Sequence, residues 1–265
     1  MTQKKEGQII AVANQKGGVG KTTTSVNLAT ALAAAEKKVL LIDLDPQGNA
    51  STALGSSAKQ RHRTIYECLC GTSSVDQAIE ETSVPHLSLL SSSVDLSAAE
   101  LELVSIEGRE FVLKEILEET KYKYDFIFID CPPSLGLLTL NALTASSGVL
   151  IPLQCEFFAL EGLSHLLKTI EKIRKNLNQA LEINGVVLTM FDRRNNLSVL
   201  VENDVRECLG ELVYKTVIPR NVRVSEAPSH GVPAVIYDHR CSGSVAYMML
   251  AREILARLQP ESMAA

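Results

Sequence analysis

The chain has 265 residues, of which 46% are hydrophobic and 22% charged, with no Trp and a formal net charge of −5. Those values suit a soluble globular protein with a substantial core, and no apolar run approaches the roughly 20 residues that cross a bilayer. The acidic balance argues against an obligate nucleic-acid binder but leaves room for a local basic patch used in one state.

Residues 1–7 are polar and a compact apolar segment follows at once, which reads as a lead-in to a strand rather than a secretory signal. A cytoplasmic location is expected. Residues 9–13 form the first buried strand, 22–35 a helix with Val26, Ala29, Leu32 and Ala33 at helical spacing, and 39–42 the next strand, ending at Asp43. Further strands are expected at 87–90, 126–129, 149–153, 185–189 and 213–218. Their uninterrupted Val, Ile, Leu and Phe content is that of a parallel sheet buried on both faces. Helices are expected from near Asp95, where Ser97 and Glu100 offer a capping box, and over 111–121, 160–177, 197–209 and 244–258. The Ser-, Lys- and Arg-rich stretch 55–63 is the best candidate for a mobile surface loop. The pattern predicts one α/β domain over 1–265, doubly wound, with a mostly parallel sheet and helices on both faces.

Between the first strand and helix lies Lys16-Gly17-Gly18-Val19-Gly20-Lys21-Thr22-Thr23. Glycines there let backbone N–H groups surround phosphate oxygens, and the helix adds its positive N-terminal end. Lys21 is expected on the β- and γ-phosphates of ATP and the Thr22 hydroxyl on Mg²⁺. The strict pattern needs Gly at position 15, where this chain has Gln15. Lys16 is surplus: it is badly placed for the nucleotide under its own loop but could serve one on a facing subunit.

Asp43 and Asp45 follow the second strand, at the sheet edge where ligands bind in open α/β folds. Both are expected to point into the crevice, one orienting a water toward the γ-phosphate and the other bonding a loop or the metal's water shell. Asp130 closes the run 126–129 in the Walker B arrangement, where it would hold a Mg²⁺-bound water. Pro219 and Asn221 are candidates to flank and hydrogen-bond an adenine, with Met190 added to the nucleotide set. Six cysteines lie at 68, 70, 131, 155, 208 and 241 without a CxxC pair, so free thiols and no structural metal are expected.

Residues 14–24, 43–49, 129–136, 152–156 and 218–229 together resemble the ParA/Soj partition ATPases of the deviant Walker A class. The resemblance runs from about residue 9 to residue 258 and is weakest over 55–84. It implies that Lys16 reaches across an ATP-sandwich homodimer, that Asp43 positions the attacking water, and that Asp130 is the Walker B acid. It further implies non-specific binding of double-stranded DNA by the ATP-bound dimer on the nucleoid, and a ParB-type centromere-binding partner that stimulates hydrolysis. Arg194 and Arg223 fall where the family places basic DNA contacts. A MinD-like membrane-associated regulator shares the loop but needs a basic amphipathic C-terminal helix, which the tail 251–265 does not spell, so no membrane partner is expected. Iron–sulfur proteins of the superfamily need paired bridging cysteines. A metabolic P-loop enzyme remains the third class.

Overall fold

The computed structural model describes residues 6–258. Its strands are β1 (Gln8–Val12), β2 (Val39–Asp43), β3 (Ile79–Glu81), β4 (Leu87–Leu90), β5 (Phe126–Asp130), β6 (Gly148–Gln154) and β7 (Glu182–Thr189). Helices α1 (Lys21–Ala34), α2 (Asn49–Ala53), α3 (Ile65–Leu69), α4 (Val75–Ala78), α5 (Leu96–Glu102) and α6 (Val112–Ile116) belong to the first half. Helices α7 (Leu137–Ala145), α8 (Ala159–Asn176), α9 (Asn196–Leu209), α10 (Val222–Glu226), α11 (Ala234–Tyr237) and α12 (Ser242–Leu258) complete the described chain.

The strands form one sheet in the order β3-β4-β2-β5-β1-β6-β7, parallel except for the β3–β4 pair. Alternate residues of each central strand feed two separate cores, as a period of two requires. Ile9, Leu40, Ile42, Ile127 and Ile129 face one layer, while Ile10, Val39, Leu41, Phe126 and Phe128 face the other. The doubly wound sheet expected from the run composition is therefore present, with β1 in its interior between β5 and β6 and the loop after β1 at the carboxyl edge, where such folds bind ligands.

Four elements depart from the sequence expectations. The stretch 213–218 is not a regular strand: isolated parallel bridges, Val186 to Val213 and Phe191 to Pro219, stand at its start and just past its end. The Glu253 carboxylate of α12 explains the interruption, because it takes the N–H groups of Lys215 (2.8 Å) and Thr216 (3.0 Å). The Ser97–Glu100 capping box does not form either. Glu100 instead accepts from the N–H of Leu138 at 3.3 Å, at the start of α7. Helix α6 covers only part of 111–121, a 3₁₀ turn at Thr120–Tyr122 following it. The loop 55–63 has no regular structure but is tied to its surroundings by Arg61, whose guanidinium bonds the Ser56 and Ser92 carbonyls.

Candidate functional site

The loop after β1 is shaped by backbone conformations that glycine alone adopts freely. Gly18 has φ of +73° and Gly20 φ of +86°, and α1 begins immediately at Lys21. Asn14 fixes the entrance: its amide donates to the Pro152 carbonyl at 2.7 Å and accepts from the Lys16 N–H at 3.0 Å. The exit is held by Thr189, whose hydroxyl donates to the Val19 carbonyl at 2.8 Å. Val19 thus turns its side chain into the core, while Gly17, Gly18, Gly20, Lys21, Thr22 and Thr23 line a cavity of about 400 Å³. Asp45, Gln47 and Met190 stand on its remaining wall.

Lys21 is buried, and its ammonium donates to the Lys16 carbonyl at 3.1 Å. Burial pulls its pKa down, opposed chiefly by the neighbouring Asp130. Lys16 points elsewhere: its ammonium pairs with Glu156, both side chains being 44% exposed. Beyond Glu156 the β6–α8 turn presents Phe157 and Phe158, 76% and 65% exposed, packed edge to face on each other.

Asp130 ends β5 with no exposed surface. Its Oδ1 accepts from the Ser25 hydroxyl at 2.8 Å, while its Oδ2 is buried and has no partner among the described residues. Burial, then the nearby Asp43 charge, pushes its pKa up to about 7, and the neighbouring Thr22 and Ser25 hydroxyls act the other way. An orphaned carboxylate oxygen beside the Thr22 hydroxyl is an oxygen set that fits a magnesium-bound water. Ser25 was not anticipated, although it lies one helical turn beyond Lys21 and so shares its face of α1.

The expectation for Asp43 is corrected. It does not line the cavity; it is fully buried, and both oxygens are engaged. Its Oδ2 accepts from the Ser51 N–H (2.8 Å) and hydroxyl (2.7 Å), and its Oδ1 from the Asp45 N–H (3.3 Å). Asp45 is the carboxylate on the cavity wall, with Oδ1 accepting from the Gln47 N–H at 2.9 Å. Register separates the two: Asp43 still pairs with Asp130 inside the sheet, whereas Asp45 has left it. Burial raises the Asp43 pKa to about 6 against the Ser51 bonds.

Of the remaining residues expected around the nucleotide, Met190 meets the phosphate cavity, held at φ of +51°. Pro219 lines a separate groove of about 810 Å³ whose basic wall is Arg193, Arg194, Arg220 and Arg240. The Asn221 side chain is engaged within the fold. Its Oδ1 caps α10 from Arg223 N (2.9 Å) and Val224 N (3.3 Å), and its Nδ2 donates to Ser242 at 3.0 Å. Arg194 is paired with Asp192 at 2.9 Å, and Arg223 with Glu226 at 3.1 Å. The cysteines are free, with burial holding the Cys131 thiol well above its ordinary range. Among the described residues no cluster of His, Cys, Asp or Glu could hold a metal by itself, and no helix is long and apolar enough to cross a membrane.

A phosphate loop between a central parallel strand and its helix, with a buried acid ending the neighbouring strand, defines the class: a P-loop ATPase. Residues 7–183 match a family described as an AAA domain. The chain is 55% identical over 252 residues to the chromosome partitioning protein ParA of Caulobacter vibrioides (strain NA1000 / CB15N), covering 94% of each. It is 51% identical over 251 residues to the chromosome-partitioning ATPase Soj of Treponema pallidum (strain Nichols), covering 95% of this chain and 98% of that one. Among solved structures, cobyrinic acid a,c-diamide synthase from Mycobacterium smegmatis with bound ATP analog and magnesium is 37% identical with a TM-score of 0.86, 96% of each chain being covered. The chain belongs to the ParA/Soj family of chromosome-partitioning ATPases.

Proposed function

We propose that this ATPase couples ATP binding to the formation of a sandwich homodimer, and that the dimer binds double-stranded DNA without sequence preference. Hydrolysis, stimulated by a ParB-type centromere-binding partner, then releases it. The observation that carries the reading is the direction of Lys16: its ammonium leaves its own cradle and sits on Glu156 at the exposed carboxyl edge, beside an uncovered pair of phenylalanines. A cation and an apolar pair on one edge suit a facing copy that brings its own nucleotide. The location proposed is the cytoplasm, on the nucleoid in the ATP state.

The chemistry follows from the cavity. Lys21 and the loop N–H groups would bind the β- and γ-phosphates, and Met190 would border the nucleotide. Magnesium, when bound, neutralises phosphate charge; Thr22 and Asp130 are the residues here that would hold it, Asp130 through water. We assign the water-orienting role to Asp45 in place of Asp43, since Asp45 alone of the two reaches the cavity. A water held there attacks the γ-phosphorus as the bond to the β–γ bridging oxygen breaks, giving ADP and phosphate.

DNA binding by an acidic chain is reconciled by duplication. Each neutralised phosphate contributes about −0.9 to the slope of log K against log salt, so a dimer doubles both contacts and slope. The arginine-walled groove with Arg194 is the proposed surface, and Arg223 lies on α10 close by in sequence. The test is retention on DNA with ATP against ADP across a salt series. Retention with ATP, lost in Arg194→Ala/Arg223→Ala dimers, is expected; equal retention with both nucleotides would refute the switch. The relatives at 51–55% identity favour partitioning over the synthase reading at 37%.

A further inference from the structure

We infer that Arg61, acting through Gly48, Ser92 and Ser51, is a positioning residue that holds the Asp45 carboxylate on the wall of the phosphate cavity. The inference rests on the assignment of Asp45 as the water-orienting group.

Arg61 lies in the loop 55–63, yet its planar fork joins three separate segments. Nη1 donates to the Ser92 carbonyl at 2.9 Å, after β4. Nη2 donates to the Gly48 carbonyl at 3.3 Å and the Thr52 hydroxyl at 2.9 Å, in the segment after β2, and to the Ser56 carbonyl at 2.6 Å. Five donors in one rigid plane can do this, and a lysine ammonium cannot.

Two routes lead from that guanidinium to Asp45. The first is the backbone turn. Gly48, whose carbonyl Arg61 grips, donates its N–H to the Asp45 carbonyl at 2.9 Å and sits at φ of +63°. A Cβ on Gly48 would lie 2.3 Å from Arg61 Nη1, so the close approach needs glycine. The second route is polar and buried. The Ser92 N–H donates to the Ser51 hydroxyl at 3.0 Å, which donates to Asp43 Oδ2 at 2.7 Å, and Asp43 Oδ1 accepts from the Asp45 N–H at 3.3 Å. Asp43 and Glu80 are the anions whose charge acts on Arg61, so the guanidinium also offsets a buried carboxylate that would otherwise be costly. The turn so clamped supplies Asp45, Gln47 and Asn49 to the cavity wall. Asp43 thus becomes the buried strut of Asp45.

The experiment measures ATP turnover per nucleotide-binding site, the sites being titrated with a fluorescent ATP analogue. Arg61→Ala and Ser51→Ala should each lower kcat about 10–100-fold, the scale of an ångström-level misplacement, with KM for ATP within about twofold because the glycine loop is untouched. Ser51→Thr should restore kcat; Arg61→Lys should not. In nucleotide-free Arg61→Ala, amide exchange at Gly48 and Ser51 should accelerate. Wild-type kcat in both alanine variants, or unchanged exchange, overturns the inference. If Arg61→Ala does not fold, the Ser51 pair decides. Asp45→Asn separates the two levels: wild-type turnover there removes the Asp45 assignment and the inference together. An inactive Asp45→Asn beside fully active Ser51→Ala and Arg61→Ala removes the inference alone.

Discussion

Asp43 and Asp130 are direct register partners at the ends of neighbouring parallel strands, two carboxylates with no exposed surface. Burial raises their pKa values to about 6 and about 7, and the Asp43 charge further disfavours ionisation of Asp130. For an acid with a raised folded pKa the native state binds the proton more tightly than the unfolded chain. Its contribution to stability is therefore present at low pH and lost as pH rises through the folded value, the reverse of the usual Asp case. In nucleotide- and magnesium-free protein, Asp130→Asn should be more heat-stable than wild type at pH 8 and about equal near pH 5. Each kcal/mol relieved shifts Tm by about 2–4 °C for a chain of this size. Thermal melts of both proteins across that pH range check it; a constant difference would place the effect elsewhere.

The Lys16–Glu156 pair sets a second expectation. Both side chains are half-exposed, and such pairs contribute about 0–1 kcal/mol, so the ammonium is freed at small cost. Glu156→Gln should let ATP-driven dimers form at protein concentrations lower by up to about 30-fold, the equivalent of about 1 kcal/mol for each of the two pairs that a symmetric dimer frees. Lys16→Ala should retain nucleotide binding through Lys21 and lose the dimer. Light scattering on a sizing column with ATP measures both, and normal dimerisation of Lys16→Ala would remove the trans role.

How far the sequence carried follows from how much each signal was local. The buried strands and the phosphate loop were legible because their signals lie within single short segments, an unbroken apolar run for each strand and a contiguous glycine loop joining β1 to α1, although the strand pairings themselves are long-range. Helix α7 was not, since nine residues of mixed apolar and small side chains are buried nearly all round and show no stripe. The choice between Asp43 and Asp45 needed the register of β2 on β5, which no spacing reveals. Asn221 reads as a free polar residue until Ser242, 21 residues away, takes its amide. Arg61 looked like loop charge because its partners at 48, 52 and 92 come from other segments.

Glu253 holds the interrupted stretch 213–218 against α12. Its two oxygens satisfy the N–H groups of Lys215 and Thr216, and its Oε1 also accepts from Arg257 at 3.0 Å. Arg257 in turn lies 4.0 Å from the ring centroid of the buried Tyr214. Removing the carboxylate leaves two backbone donors without their charged acceptor and loosens the arginine over the ring. Hydrogen bonds to charged groups are worth about 1.5–3 kcal/mol, so Glu253→Ala should lose about 2–4 kcal/mol and several degrees of Tm. Glu253→Gln, which keeps one acceptor oxygen, should lose about half as much. Neither Glu253 nor Arg257 lines the phosphate cavity, so kcat and KM for ATP should stay at wild type below the melting range. A melting curve and a steady-state assay on the same preparation measure this, and an unchanged Tm in Glu253→Ala would mean that the 213–218 segment is held by its backbone bonds to β7, such as Tyr214 N to the Val186 carbonyl and Ile218 N to the Leu188 carbonyl, without help from α12.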